Sequence, residues 1–353
     1  MMKNYLEPSQ LKTNLSIDLD IVSEFMDANN LGSGPILNIE QLSGGTQNIL
    51  IKFERDSKAY VLRRPPVYLR AASNEVLRRE AKILASLKNT EVPHPKFIAA
   101  CLDESLMGAV FYLMEPIDGF NPGMGLPQYH MSDPKIRREM SVEAVSAIAK
   151  LGTVDYKTVG LEDFGSPDNF IDRQTVRWMS ELESYSKLEN YPGPEIPGLE
   201  KVTNWLSDNK PKFSQIGIMH GDYHLANLLY DFKSPKLLAA VDWEMSTIGD
   251  PLLDLGWLIA TWPTEDGIKV GPSMALMNIG GFCTSDELIK IYESLSEFDL
   301  SYINWYVTMA CYKLGIILEG TYARSKANKA NKQVGQLLHA ITLELFRKAL
   351  EYC

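Results

Sequence analysis

Two short stretches carry the residue types that phosphoryl transfer to a hydroxyl requires. One runs Ile218-Met-His220-Gly-Asp222-Tyr-His224-Leu-Ala-Asn227, and the other, fifteen residues past Asn227, reads Val241-Asp242-Trp-Glu244. Such a reaction needs a carboxylate to orient and deprotonate the attacking hydroxyl, and oxygen ligands for Mg²⁺ on the nucleotide phosphates. In an Asp-x-x-x-x-Asn segment the Asp can supply the base and the Asn one ligand. A second Asp, ending the next strand, completes the metal shell. Leu228–Tyr230 and Leu237–Val241 are short apolar runs around the turn-forming Asp231-Phe-Lys-Ser-Pro235 and should pair as a hairpin. Asn227 and Asp242 would then lie at adjacent strand ends, near one ion. His220 is grouped with Asp222 in the catalytic loop, as a hydrogen-bonding brace.

His220 and His224 are four apart, which invites a metalloprotease-like reading. That site needs a helix to bring both imidazoles to one face, whereas residues 216–219 read as an apolar strand and Gly221 interrupts any helix. His224 is read as packed or exposed, and His94, His130 and His339 show no partner pattern. Glu244 either approaches the metal or is structural. Asp250 suits a helix N-cap with Pro251 at the first helical position.

The His-Gly-Asp-x-x-x-x-Asn run with its Asp-bearing strand end resembles the signature of the aminoglycoside phosphotransferase and choline kinase branch of the protein-kinase-like fold. Tyr60-Val-Leu-Arg-Arg-Pro-Pro66, Arg173-Gln-Thr-Val-Arg-Trp178 and Lys313-Leu-Gly-Ile-Ile-Leu-Glu-Gly-Thr-Tyr-Ala-Arg324 look like a narrower group. Its members are bacterial phosphotransferases similar to the kinase-like domains fused to some acyl-CoA dehydrogenases. The resemblance runs from residue 36 to near the C-terminus. It implies an α+β, two-lobed protein-kinase-like fold with a β-rich N-lobe and a mostly helical C-lobe carrying a helical substrate-binding insert. It also implies ATP and Mg²⁺ as cofactors and a buried structural role for Asp254. Arg63 stands where related kinases carry the strand Lys that holds the α/β-phosphates. Arg can do this bidentately, with a wider, flatter head group. Its implied acidic partner on the next helix is Glu80, chosen over Glu75. Arg64 is a rival, but alternation from Val61 favours Arg63.

The elements that must position these groups are legible as periodic runs. Ser16 to Asn29 reads as an amphipathic helix ended by Gly32 and Gly34. Residues 36–42, 48–53 and 58–63 read as strands, 75–87 as a helix, and 97–102 and 109–114 as further strands. Ser43-Gly44-Gly45-Thr46-Gln47 joins the first two strands and could offer backbone N–H groups to phosphates; a plain tight turn is the bland alternative. Glu115-Pro-Ile117-Asp-Gly119 breaks the pattern and is placed as the hinge, where Glu115 and Ile117 would offer backbone groups to adenine. This divides the chain into 1–116, an N-lobe holding nucleotide phosphates, and 117–353, a C-lobe with the catalytic loop, metal site and helical substrate subdomain.

At 353 residues, 45% hydrophobic and 23% charged, the chain is an ordinary globular protein. A net charge of −10 argues against general nucleic-acid binding. Acidic and basic residues nearly balance over 125–215, so this region is no trap for polycations. Four scattered cysteines without a Cys-x-x-Cys pair point to a reducing cytoplasm. The N-terminus lacks a signal-peptide layout, and no apolar run approaches the ~18–20 residues that span a bilayer.

Arg173 and Arg177, one helical turn apart, could join Arg324 in binding an anionic group of the substrate; salt bridges within the insert are the alternative. The reading is therefore an ATP- and Mg²⁺-dependent kinase for a small hydroxyl acceptor, with a hydroxy acid or hydroxyacyl-CoA implied by the resemblance. An aminoglycoside acceptor is the first rival. A protein kinase is disfavoured because no Asp-Phe-Gly or Ala-Pro-Glu segment is present. A regulatory pseudokinase is disfavoured by intact Asp222, Asn227 and Asp242. Oligomeric state is not written in the sequence.

Overall fold

The computed structural model describes residue 11 and residues 14–42, 48–263 and 273–353. The chain divides into two compact units: Met1–Thr90 with His94–Asp118, and Glu91–Pro93 with Gly119–Cys353.

The first unit is built on a five-stranded antiparallel sheet in the order β1-β2-β3-β5-β4. Its strands are β1 Leu37–Gln41, β2 Ile49–Arg55, β3 Lys58–Arg64, β4 Phe97–Cys101 and β5 Phe111–Met114. β2 alternates, burying Ile49, Ile51 and Phe53 against intervening partly exposed positions, the period-2 pattern of a half-buried strand. β3 lies between β2 and β5, and Tyr60 to Arg64 are all buried. Helix α1, Leu19–Ala28, starts where the Asp18 side chain accepts the Asp20 N–H, and buries Val22 and Met26. Those side chains join Ile51, Phe53, Leu62, Phe111 and Leu113 in one core cluster. Helix α2, Ser73–Ser86, buries Leu77, Ala81, Ile83 and Leu84, and with them Glu80.

The second unit is mainly helical. Its principal helices are α3 Pro134–Thr153, α4 Phe170–Ser184, α5 Leu199–Asp208, α6 Leu252–Thr261, α7 Ser285–Leu295, α8 Ile303–Lys326 and α9 Lys332–Tyr352. Most of α8 is buried, from Trp305 through Tyr312 and on to Ala323. A helix that is apolar nearly all round must be surrounded, and α8 packs against α9, α6 and α4. The approach to α6 is close enough that a Cβ on Gly256 would sit 2.4 Å from the Tyr306 carbonyl oxygen.

Two small antiparallel ribbons complete this unit: β6 Gly217–Met219 with β9 Thr247–Gly249, and β7 Leu228–Tyr230 with β8 Leu237–Ala240. The second is the hairpin expected from the apolar runs. The first pairs the strand before His220 with one that has no legible signal, because Thr247-Ile-Gly is too short for alternation to show. α6 begins at Leu252 with Pro251 at the N-cap, one position later than the sequence suggests. Asp250 still caps it through its side chain, which accepts the Leu252 N–H at 3.1 Å. The four cysteines are all free thiols. Among the described residues no helix is long and apolar enough to cross a membrane.

Candidate active site

The loop from His220 to Asn227 leaves β6, and its shape is imposed at Gly221. That residue has φ +84°, and a Cβ there would lie 2.4 Å from the Met245 carbonyl oxygen, so only glycine fits on both counts. Asp254 on α6 then holds the turn. Its Oδ2 accepts the His220 N–H at 2.6 Å and its Oδ1 the Gly221 N–H at 2.8 Å. Burial pushes the Asp254 carboxyl up to about 6, even though both N–H donors pull it down. The loop is also tied to α3, through the hydroxyls of Tyr223 and Tyr230, which donate to the Ala144 and Met140 carbonyls at 2.8 and 2.9 Å.

His220 is wholly buried and lies 4.7 Å from the Trp243 ring, centroid to centroid. Its Nε2 is 3.1 Å from the Val241 carbonyl, so Nε2 carries the proton; Nδ1 is left to accept the Asp222 N–H at 3.4 Å. Burial lowers the imidazole to about 4, which keeps it neutral and suited to bridging these two backbone groups. It positions Asp222 and does not face a ligand.

Asp222 is partly open, with 32% of its side chain exposed. Its Oδ2 accepts from Asn227 Nδ2 at 3.1 Å, and its Oδ1 lies 3.3 Å from His224 Nε2. Burial alone would raise this carboxyl, but the His224 hydrogen bond and the nearby positive groups outweigh it and hold the group at about 2. A carboxylate offers about four lone-pair sites, so both oxygens can be held and still accept an alcohol proton. Asn227 also donates to the Asp222 carbonyl at 3.0 Å. Because its amide nitrogen is spent on Asp222, its amide oxygen is the group that remains for a cation.

Asn227 and Asp242 are joined through the backbone: the Val241 N–H donates to the Asn227 carbonyl at 2.8 Å. Asp242 itself takes the left-handed conformation, φ 69° and ψ 66°, just before the short 3₁₀ turn Trp243–Met245. Asp tolerates this conformation better than most residues, because its short polar side chain can hydrogen-bond locally. The donor set, one amide oxygen and one carboxylate, is hard and small. It suits Mg²⁺, which keeps waters and substrate phosphates in its shell and is seldom caged by protein alone. Among the described residues there is no group of three or more His, Cys, Asp or Glu that could hold a metal ion.

In the first unit, Arg63 Nε lies 2.9 Å from Glu80 Oε2, with both residues buried. The neighbouring Arg64 is committed elsewhere, donating to the Leu15, Ser16 and Pro65 carbonyls. Glu115 follows β5, with its N–H donating to the Lys96 carbonyl at 2.9 Å, and Ile117 is two residues beyond. Gly44, Gly45 and Thr46 lie outside the described residues.

Of the three arginines proposed from sequence, Arg173 and Arg177 lie one turn apart on α4 and Arg324 lies on α8. All are exposed. Arg173 donates to the Ser166 carbonyl at 2.6 Å, and Arg177 lies 5.2 Å from the centroid of the Trp178 ring. Arg324, in the last turn of α8, donates to Thr321 Oγ1 at 2.8 Å. Eleven residues of helix put it about 16 Å along the axis from Lys313.

Two contributors were not read as site residues from the sequence. His224, taken as packed or exposed, holds Asp222 and caps the 3₁₀ turn Leu225–Asn227 through Nδ1, which accepts the Ala226 N–H at 3.2 Å. Lys313 donates to the Gly221 carbonyl at 3.1 Å from 92 residues away; it opens a segment that resembles the family, but nothing in that segment gives it this role.

Known proteins share this chain's fold and family. An acyl-CoA dehydrogenase family member 11 from Rattus norvegicus is 29% identical over 82% of this chain and 37% of its own length. The chain thus spans about a third of the length of the curated relatives it matches. A crystal structure from Ralstonia eutropha, of a candidate aminoglycoside phosphotransferase, is 27% identical, covers 95% of this chain and 98% of its own, and superposes with a TM-score of 0.76. The aminoglycoside phosphotransferase APH(4)-Ia, crystallised as a ternary complex with ADP and hygromycin B, shares the fold at 13% identity, with 93% and 98% coverage and a TM-score of 0.56. The architecture is therefore the protein-kinase-like one. A family profile matches residues 38–280, from β1 past both halves of the Asp222 and Asp242 constellation. With that match over most of its length, the chain belongs to the phosphotransferase enzyme family (APH).

Proposed function

We propose that this phosphotransferase transfers the γ-phosphoryl group of ATP to a hydroxyl of a small hydroxy acid or hydroxyacyl thioester, with Mg²⁺ as cofactor. One observation carries the reading. Asn227 binds both the carbonyl and the carboxylate of Asp222, while its own carbonyl accepts the N–H that precedes Asp242. Base and cation ligands are thereby fixed as one unit. Asp222 would take the acceptor proton, Asn227 and Asp242 would hold Mg²⁺, and the bound ion would neutralise charge on the phosphates. The Arg63–Glu80 pair would meet the α/β-phosphates. Such a protein accelerates transfer chiefly by alignment and charge stabilisation.

The ADP complex of APH(4)-Ia supports the nucleotide, and the acyl-CoA dehydrogenase relatives support an acyl-derived acceptor. Single-turnover ATP consumption across a panel of hydroxy acids, hydroxyacyl-CoA thioesters and kanamycin, with ³¹P detection of product, tests the assignment. Transfer is expected to acyl-type acceptors, only with Mg²⁺ present. Efficient transfer to kanamycin, or to no hydroxyl compound at all, would overturn it.

A further inference from the structure

Lys313 places a cation beside the reacting groups, within the fields of the Asp222 and Asp254 carboxylates. Among the described residues it forms no ion pair, and its one hydrogen bond goes to the carbonyl of Gly221, next to Asp222, at 3.1 Å. Its ammonium lies 4.4 Å from the centroid of the Trp257 ring and 5.6 Å from that of Trp178. Trp178 carries the Arg177 guanidinium as well, at 5.2 Å. An ammonium has three N–H donors, so the ring faces and one carbonyl leave donor capacity unused, and the side chain is only partly buried. Burial lowers this amine to about 8, with Asp222 and Asp254 pulling it back up.

A pair of tryptophan faces is also what a quaternary ammonium ligand would seek. Here the protein's own ammonium lies against both faces. We propose that Lys313 reads the acceptor's charge: it binds a carboxylate carried close to the hydroxyl that Asp222 faces, and its presence against Trp178 and Trp257 excludes cationic acceptors. This rests on the kinase reading above and narrows it. A free hydroxy acid places a carboxylate a few bonds from its hydroxyl, whereas a thioester is neutral there and keeps its phosphates far along the pantetheine arm. The free acid is therefore the acceptor class.

The test uses 2-, 3- and 4-hydroxybutyrate, their neutral amides, and tetramethylammonium as probes. At least one acid should bind the wild-type protein by calorimetry and be phosphorylated with kcat/KM roughly tenfold to a hundredfold above its amide, the range of one charge-assisted hydrogen bond. Lys313→Met should erase that preference by raising KM for the acid far more than KM for the amide or for ATP, whatever smaller loss of kcat the two acceptors share. Lys313→Arg should restore part of it. Lys313→Ala should gain weak tetramethylammonium binding that the wild type lacks. If Lys313 only braced the Gly221 carbonyl, Lys313→Met would lower kcat for acid and amide alike and leave the preference for the acid intact, and the proposal would fail. It would fail too if no acid bound, or if the wild type bound tetramethylammonium. If acids bind in a Lys313-dependent way but no phosphorylated product forms, the kinase reading falls and the anion site stands.

Discussion

Asp222 sits where chemistry and positioning meet, and the two can be separated by substitution. Asp222→Asn keeps the shape and the Asn227 contact but removes the proton acceptor. Turnover should fall by about 10²–10⁴-fold, the usual worth of a general base, while MgATP binding by calorimetry stays within error. Wild-type turnover in this variant would remove Asp222 from the base role. His220 and Asp254 yield a second expectation, in pH. The folded imidazole lies at about 4 against an ordinary 6.5. Its contribution to stability is complete above the unfolded value and is lost as pH falls toward 4. The Asp254 carboxyl lies at about 6 against 3.8, so its contribution is present below 3.8 and lost as pH rises through 6. Between these limits the two slopes oppose, each about 1.4 kcal/mol per pH unit. His220→Gln keeps the backbone N–H that Asp254 accepts, so only the Asp254 slope should remain. Denaturant melts at pH 4, 5 and 6 should then show stability falling with pH more steeply than in the wild type, by about that slope.

At the scale of elements, the turn at Gly221 carries the catalytic loop. Gly221→Ala must hold alanine at positive φ and push against the Met245 carbonyl. It should cost about 2 kcal/mol or more and remove activity along with stability. Gly193→Ala is the control, since Gly193 also has positive φ, at 104°, but has open space around it. It should cost about 1–2 kcal/mol from φ alone, and kcat should not change. Thermal melts beside kcat would show whether loop shape or backbone strain in general is at issue. The strands and the β7–β8 hairpin were legible because their apolar residues alternate within a few positions. β9 was not, because three residues hold too little pattern and its partner β6 lies about 30 residues earlier in the chain. The same distinction runs through the site. Asp222, Asn227 and Asp242 stand in local motifs, whereas Lys313 reaches Gly221 only because α8 threads the core of its unit. Such a contact exists only after packing.

Across the whole molecule, the proposed work is divided between the two units, and the buried ion pair of the first unit poses the last question. Arg63 and Glu80 are 8% and 1% exposed, so either phosphate binding or simple bracing of β3 against α2 would explain them. Replacing one partner of such a pair strands the other charge, at about 3–5 kcal/mol, whereas replacing both with apolar residues is often neutral. Arg63→Ala should therefore destabilise strongly and raise KM for ATP, but that result alone cannot tell the two roles apart. The double variant Arg63→Met with Glu80→Leu can. Stability measured by denaturant melts should return to within about 1 kcal/mol of wild type, because the packing is kept and no charge is left buried. KM for ATP should stay raised about tenfold or more, because a charge-assisted hydrogen bond to phosphate is gone, and KM for the acceptor should hardly move. Recovery of ATP affinity together with stability would make the pair a brace and send the search for the phosphate-binding cation elsewhere in the first unit.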